Sequence, residues 1–284
     1  MLRLEGIHYR PVPQLPVAER DSGENASRIV GDLIGAEIAQ TMAAHDSPQV
    51  DFVMAVSTIM DMPFVSGYLS WPLIAAAIAR HTPLVPRGFT ASYECAGWGF
   101  ALDYARRRLP QGGRVLIVVA DLNVLDISFW RRNDNWGPSG FGVTTVLLTL
   151  PPADQVALSV NVAKSVQGMG EYCADLRKWL STSEGSLANV PFLPPEMAGI
   201  YSHFLPKDRM MRDLHGAWGH CFGSDTWISF IDAIDRGDIV PGSVHCATSA
   251  SLRGYWALSD VVLDESIQSG FRAPFDAAER EDAA

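Results

Sequence analysis

The sequence predicts an α/β fold in which helices cover both faces of a mixed or parallel sheet. Three observations carry that expectation. The run Val115–Val119 is apolar at every position, and Gly140–Leu150 is nearly so, which marks strands buried on both faces. Helical periodicity alternates with these strand-like runs along the first 150 residues. A chain of 284 residues with 48% hydrophobic and 19% charged side chains can also build a substantial core.

The first regular element expected is a helix over Asn25–Ala44, with Val30, Leu33, Ile34, Ile38 and Met42 on one face. A strand, Val50–Ser57, follows the turn residues Asp46-Ser47-Pro48. Trp71–Arg80 reads as a second helix, with Pro72 tolerated in its first turn. Leu84–Ser92 is expected to run extended up to Cys95. Ala96–Leu109 is a helix ending at Pro110-Gln111-Gly112-Gly113, and Arg114–Ala120 and Gly140–Leu150 are buried strands. Between Ser181 and Met197 the pattern lapses into Ser, Gly, Asn and Pro, the composition of a loop or cap. The tail after Gly270 reads as solvated and frayed.

An internal comparison suggests duplication. Cys95–Ala120 runs cysteine, helix, glycine turn, buried strand. Cys221–Ala247 runs likewise, through the helix Thr226–Arg236, the turn Pro241-Gly242 and the strand Ser243–Ala247. Cys95 and Cys221 are 126 residues apart, and Gly113 and Gly242 are 129 apart. Two related halves with a site between them would produce this pattern.

The net charge of −10 argues against nucleic acid as a partner, because phosphates must be met by clustered Lys and Arg. Met1-Leu2-Arg3-Leu4-Glu5-Gly6 does not read as a signal peptide, and no apolar run approaches membrane-spanning length. Four cysteines in a chain of this size do not read as a disulfide framework, so a cytoplasmic location with reduced thiols is expected.

Cys95 is the leading candidate for chemistry. It precedes a helix rich in small residues (Ala96, Gly97, Gly99, Ala101), where unpaired N–H groups and the helix dipole favour the thiolate. The competing reading is a buried structural cysteine.

Ala91–Leu102, with Cys95-Ala96-Gly97-Trp98 at its centre, resembles the nucleophile segment of the β-ketoacyl-acyl carrier protein synthase III family of the thiolase superfamily. Three later segments follow in that family's order: Gly140–Leu147, Gly219–Asp225 and Ala233–Val244. The resemblance runs from about Val50 to Leu263 and implies a thiolase-like five-layer αβαβα fold built from two related halves. On that reading residues 1–150 form the half carrying the nucleophile, 151–200 a variable cap or linker, 201–270 the second half, and 271–284 a disordered tail.

The resemblance also implies roles. Cys95 takes an acyl group from a coenzyme A or acyl carrier protein thioester, and backbone N–H groups near Thr248-Ser249-Ala250-Ser251-Leu252 form an oxyanion hole, with Ser249 and Ala250 as the candidates. The family's His/Asn pair is not intact. His220 stands at the Asn position, and His203 is the best counterpart of the His, with His215 competing. Asp225, five residues beyond His220, would either cap the following helix or orient the histidine of a Cys–His–Asp site suited to plain acyl transfer. Trp98, Phe141 and Phe204 are the candidate pocket residues.

No element matching the family's coenzyme A-holding N-terminal segments is present, which favours a carrier-protein donor without excluding coenzyme A. The resemblance implies no permanently bound cofactor, a small-molecule acceptor, and a homodimer or a heterodimer with a related subunit. It suggests a role in secondary metabolism. His220-Cys221 and His245-Cys246 lack ordinary zinc-ligand spacing, so no metal is expected. Phe129–Trp136 reads as a polar loop or dimer contact, with Arg131 and Arg132 able to meet a carrier protein or phosphate. Two rivals stand beside acyl transfer: decarboxylative condensation at a Cys–His–His site, and a non-catalytic subunit of a related complex.

Overall fold

The computed structural model describes residues 1–15, 22–45, 49–183 and 186–275. Ten strands are present among them: β1 (Leu2–Pro11), β2 (Phe52–Val56), β3 (Phe89–Thr90), β4 (Gly113–Asp121), β5 (Arg132–Asn133), β6 (Gly137–Pro138), β7 (Gly142–Leu150), β8 (Leu158–Val162), β9 (Val244–Ala250) and β10 (Tyr255–Phe271). The helices are α1 (Gly23–Ala43), α2 (Asp61–Val65), α3 (Trp71–Ile78), α4 (Gly97–Arg108), α5 (Ser128–Arg131), α6 (Gly168–Leu180), α7 (Pro195–Phe204), α8 (His215–Trp218) and α9 (Asp225–Asp235).

Eight strands join in the order β3-β2-β4-β7-β1-β10-β8, with β9 also paired to β10, while β5 and β6 form a separate hairpin. Strands β2–β3, β2–β4 and β1–β10 are parallel and the other pairs antiparallel, so the sheet is mixed. The long β10 joins two half-sheets. Its first part carries β8 and β9, and its second part, to Phe271, lies beside β1.

Alternation along the buried strands builds the expected αβαβα layering. On β4, Leu116, Val118 and Ala120 face an outer core with Ile29, Leu33 and Ile38 of α1 and Ile74 of α3. The intervening Val115, Ile117 and Val119 face an inner core with Leu102 of α4 and Trp227 and Ile231 of α9. On β10, Ala257 and Val261 close the inner core from the other side. Trp256 and Leu258 point the opposite way, onto Tyr172 and Leu176 of α6. The layers are therefore α1/α3, sheet, α4/α9, sheet, α6/α7.

Helices α4 and α9 form the middle layer. The indoles of Trp98 and Trp227, both fully buried, meet edge to face at 5.1 Å. Gly99 brings α4 directly onto β10, since a Cβ there would lie 2.2 Å from the Ala257 Cβ.

Several expectations change. Regular structure begins at β1, not at the first helix, and β1 lies between β7 and β10. A register shift between Leu4 and Gly6 breaks its period, so Leu2 and Leu4 face the core in one phase and Ile7 and Tyr9 in the other. The segment 151–200, expected as cap or linker, contributes β8 to the sheet and α6 to the outer layer. The expected loop over Ser181–Met197 ends early, because α7 begins at Pro195. Of the expected tail, Arg272 is ion-paired to the buried Glu37, and 276–284 lie outside the described residues.

The internal repeat is also re-registered. A 3₁₀ turn, Glu94–Ala96, leads into α4, and another, Phe222–Ser224, leads into α9. Glu94 and Phe222 both have positive φ, at 48° and 56°, and both they and the helix starts Gly97 and Asp225 are 128 residues apart. Cys95 therefore corresponds to Gly223 and not to Cys221.

Adding a methyl at the α4–β10 contact should overpack it. Gly99→Ala is expected to destabilise the fold by about 1–3 kcal/mol, measured as a lowered urea midpoint with unchanged slope.

Candidate active site

The two 3₁₀ elbows meet at one place. Cys95, 7% exposed, sits in the first elbow, where the positive φ of Glu94 turns the chain sharply into α4. His220 precedes the second elbow. Its backbone is held on both sides, its N–H donating to the Pro138 carbonyl at 2.9 Å and its carbonyl accepting from the Gly140 N–H at 3.0 Å.

The His220 Nε2 lies 3.6 Å from the Cys95 Sγ. On the other side of the ring, Nδ1 lies 2.8 Å from the Asp225 Oδ2 and 3.0 Å from the Phe192 carbonyl. Both of those are acceptors, so Nδ1 carries the proton and, in the neutral ring, Nε2 is left to accept one from the thiol. Asp225 is itself fixed: its Oδ1 accepts from the Cys221 N–H at 2.6 Å and its Oδ2 from the Phe192 N–H at 3.0 Å. It opens α9 but makes no side-chain cap there, its oxygens meeting the Cys221 and Phe192 N–H groups and His220, so its contacts are those of the orienting role and not of the capping one. Sequence reasoning brought Cys95, His220 and Asp225 forward, and the structure brings these three together.

Burial pushes the Cys95 thiol up, with the His220 contact working against it. The helix-terminus argument for a thiolate is therefore outweighed by desolvation. Burial also pulls His220 down, but the Asp225 charge and hydrogen bond, with the Cys95 contact adding to them, more than reverse this and raise its proton affinity well above the ordinary range. Asp225 thus gives His220 the proton affinity needed to take the proton from a buried thiol.

A second buried carboxylate, Asp121 at the end of β4, was missed by sequence reasoning. It accepts from the Ser57 hydroxyl at 2.9 Å, the Thr58 N–H at 2.5 Å and the Gly223 N–H at 3.0 Å. It therefore ties the end of β2 and the second elbow to β4. Burial raises it to about 6, against the three hydrogen bonds. Its only signal in the sequence is a charged residue directly after an uninterrupted apolar run.

Cys95 and His220 line a cavity of about 200 Å³ whose other walls include Phe129, Trp130, Trp136, Leu193 and Phe222. Trp130 and Trp136 stack at 5.8 Å, and Phe222 stands edge-on to both. The Phe129–Trp136 segment, expected as a polar loop or dimer contact, is an aromatic wall of this cavity. A larger cavity of about 480 Å³, between Val12–Leu15 and Asn123–Asp126, has no cysteine, serine, threonine or histidine among its described lining residues.

The remaining candidates are dispersed. His203 is exposed near the end of α7 and is not part of the cavity wall. His215 Nε2 lies 2.8 Å from the Trp136 carbonyl, so it braces that wall. Trp98 is in the inner core, Phe141 backs Phe222 at 6.1 Å, and Phe204 is 38% exposed. Each was named for bulk and proximity in sequence, which do not determine where a ring points. Arg131 pairs with Asp126 at the larger cavity. His245 is held by the Leu187 N–H and Ser243, and among the described residues no three His, Cys, Asp or Glu side chains could hold a metal.

Ser249 and Ala250 separate by ladder phase. Ser251 and Tyr255 form a hydrogen-bonded pair, so Ala250 opposite Trp256 does not, and Ser249 opposite Ala257 does. On the far edge of β9 the Cys246 N–H donates to the Leu187 carbonyl and the Thr248 N–H to Asn189 Oδ1. The Ala250 N–H is next in that series, and Ala250 lines the cavity beside Cys95.

No family model matches the chain, and no curated protein is similar to it. Solved structures are. A 3-oxoacyl-(acyl carrier protein) synthase III from Pseudomonas aeruginosa PAO1 superposes with a TM-score of 0.65 at 14% identity, over 93% of this chain and 98% of that one. ChlB3, described as an acyltransferase, gives 0.62 at 13% identity, over 93% and 98%. AbyA1, a tetronic acid condensing enzyme, gives 0.60 at 14% identity, over 90% and 99%. The chain has the thiolase-like fold.

Asp121 binds its proton more tightly folded than unfolded. The resulting stability is complete below about pH 4 and is lost as pH rises through about 6. Asp121→Asn lacks this dependence. The stability difference between wild type and variant should therefore shift against wild type by up to about 3 kcal/mol between pH 4 and 7, read from urea unfolding at a series of pH values.

Proposed function

We propose that the protein is a thioester-dependent acyltransferase of the ketosynthase III type. The observation that carries the reading is the line Asp225–His220–Cys95 ending in an aromatic-walled cavity. The Cys95 proton passes to Nε2 of His220, and the sulfur attacks the thioester carbonyl of an acyl carrier protein or coenzyme A donor. The carbonyl oxygen, negative in the tetrahedral intermediate, is received by the Ala250 N–H. The donor thiolate leaves with the proton from Nε2, and the acyl group remains on Cys95. An acceptor then attacks the acyl-enzyme and the C–S bond breaks.

Plain transfer is favoured over decarboxylative condensation because one histidine, not two, lines the cavity, and His203 is exposed and not among its lining residues. The aromatic cavity takes a compact apolar acyl group. Neighbours of the same fold include an acyltransferase and a tetronic acid condensing enzyme, which supports a specialised role in secondary metabolism.

Incubation with acyl thioesters should add one acyl mass to the wild-type chain and none to Cys95→Ala, by intact-mass spectrometry. An adduct persisting in Cys95→Ala would show that another cysteine carries the group, and no adduct on wild type would favour a non-catalytic subunit. Release of carbon dioxide from a malonyl thioester would instead identify a condensing enzyme.

Asp225→Asn leaves the histidine without its anionic partner. It should slow acylation by about 10²–10⁴-fold, measured by rapid-quench mass spectrometry.

A further inference from the structure

Glu94, the residue before the nucleophile, takes no part in loading the acyl group as described above, yet its placement is costly. Its φ of 48° lies in the left-handed region, where a glycine or asparagine is favoured and glutamate is strained. The matching position of the second elbow, Phe222, carries the same strain. Both strained residues line the cavity that holds Cys95. The two elbows thus keep unfavourable residues where a smaller one would suit the backbone, and both residues line the cavity that Cys95 lines.

Among the residues lining this cavity, the ionisable ones are Glu94, Cys95, His220 and Arg253. Once Cys95 is acylated, only Glu94 and His220 can take a proton. Held through Nδ1 by Asp225 and the Phe192 carbonyl, the His220 ring keeps Nε2 facing the sulfur, 3.6 Å away, where a proton on it stabilises a departing thiolate. Transfer needs both events together: an acid on the sulfur and a base on the acceptor. Arg253, in the turn between β9 and β10, holds the Glu94 carboxylate in place with its Nε 2.8 Å from Oε1. The Glu94 side chain is 15% exposed and the Arg253 side chain 70%.

We propose that Glu94 is a catalytic residue of the second half-reaction, the base that takes the proton from the acceptor as it attacks the acyl-Cys95 thioester. The proposal rests on the acyltransferase reading and assigns the acceptor class as a weakly acidic O–H or N–H nucleophile that needs a base. The acceptor heteroatom bonds to the acyl carbon, its proton moves to the Glu94 carboxylate, and the C–S bond breaks to leave the Cys95 thiolate beside protonated His220. Glu94 then gives its proton to solvent.

The test separates loading from discharge, using hexanoyl-N-acetylcysteamine as donor and either methanol or hydroxylamine as acceptor. Methanol needs a base, whereas hydroxylamine attacks thioesters without one. In Glu94→Gln the acyl-Cys95 species should still form, and its discharge to methanol should fall about 100-fold or more while discharge to hydroxylamine changes less than about threefold. Formate added to Glu94→Ala should restore part of the methanol rate. Equal methanol rates in wild type and Glu94→Gln would overturn the proposal. So would a parallel loss of loading and of both discharges, which would make Glu94 structural. Failure of wild-type Cys95 to load at all is a different result: it removes the acyltransferase reading itself and this proposal with it.

Discussion

The site depends on one packing constraint, the contact of the two middle-layer helices across the inner core. Trp98 and Trp227 bury their indoles against each other, and Gly99 lets α4 settle onto β10 with no side chain between. With α4 and α9 locked in this way, the elbows that open them converge from opposite halves of the chain. Cys95 comes from one and Asp225 from the other. Neither elbow holds a complete reactive set, so the chemistry exists only where the halves meet.

Polar groups buried at that junction must be satisfied from within, and here the hydrogen bonds do two things at once. Asp121 collects donors from Ser57, Thr58 and the second elbow, which ties that elbow and the end of β2 to β4. Asp225 collects the Cys221 and Phe192 N–H groups and so presents one fixed face to His220. The imidazole in turn has a single tautomer that can serve the sulfur. A chain of carboxylate, imidazole and thiol in a desolvated place makes the proton's position a property of the group and not of any one side chain.

The same arrangement accounts for the departures from the resembled family. Where the resemblance implies a His/Asn pair, the cavity is lined by a single histidine tied to a carboxylate. The space beyond is closed by the rings of Trp130, Trp136 and Phe222. The proposed chemistry of loading and handing on an acyl group fits this inventory.

The sequence by itself determined the layered α/β architecture, because buried strands and amphipathic helices are written in local periodicity, as at Val115–Val119 and along α1. It also marked Cys95 and the segment His220–Asp225, whose spacing is short enough for an elbow to bring them into one site. Two features were hidden by local geometry: the β1 bulge shifts the hydrophobic phase between Leu4 and Ile7, and the repeat aligns by backbone conformation at Glu94 and Phe222 and not by its cysteines. What only the tertiary structure decided is which residues surround the sulfur. His203 and His220 are equally histidine in the sequence, and Phe204 and Phe222 equally aromatic. Side-chain direction and long-range packing set one of each against Cys95, because reach across the inner core is a property of how the layers stack and leaves no trace in residue type.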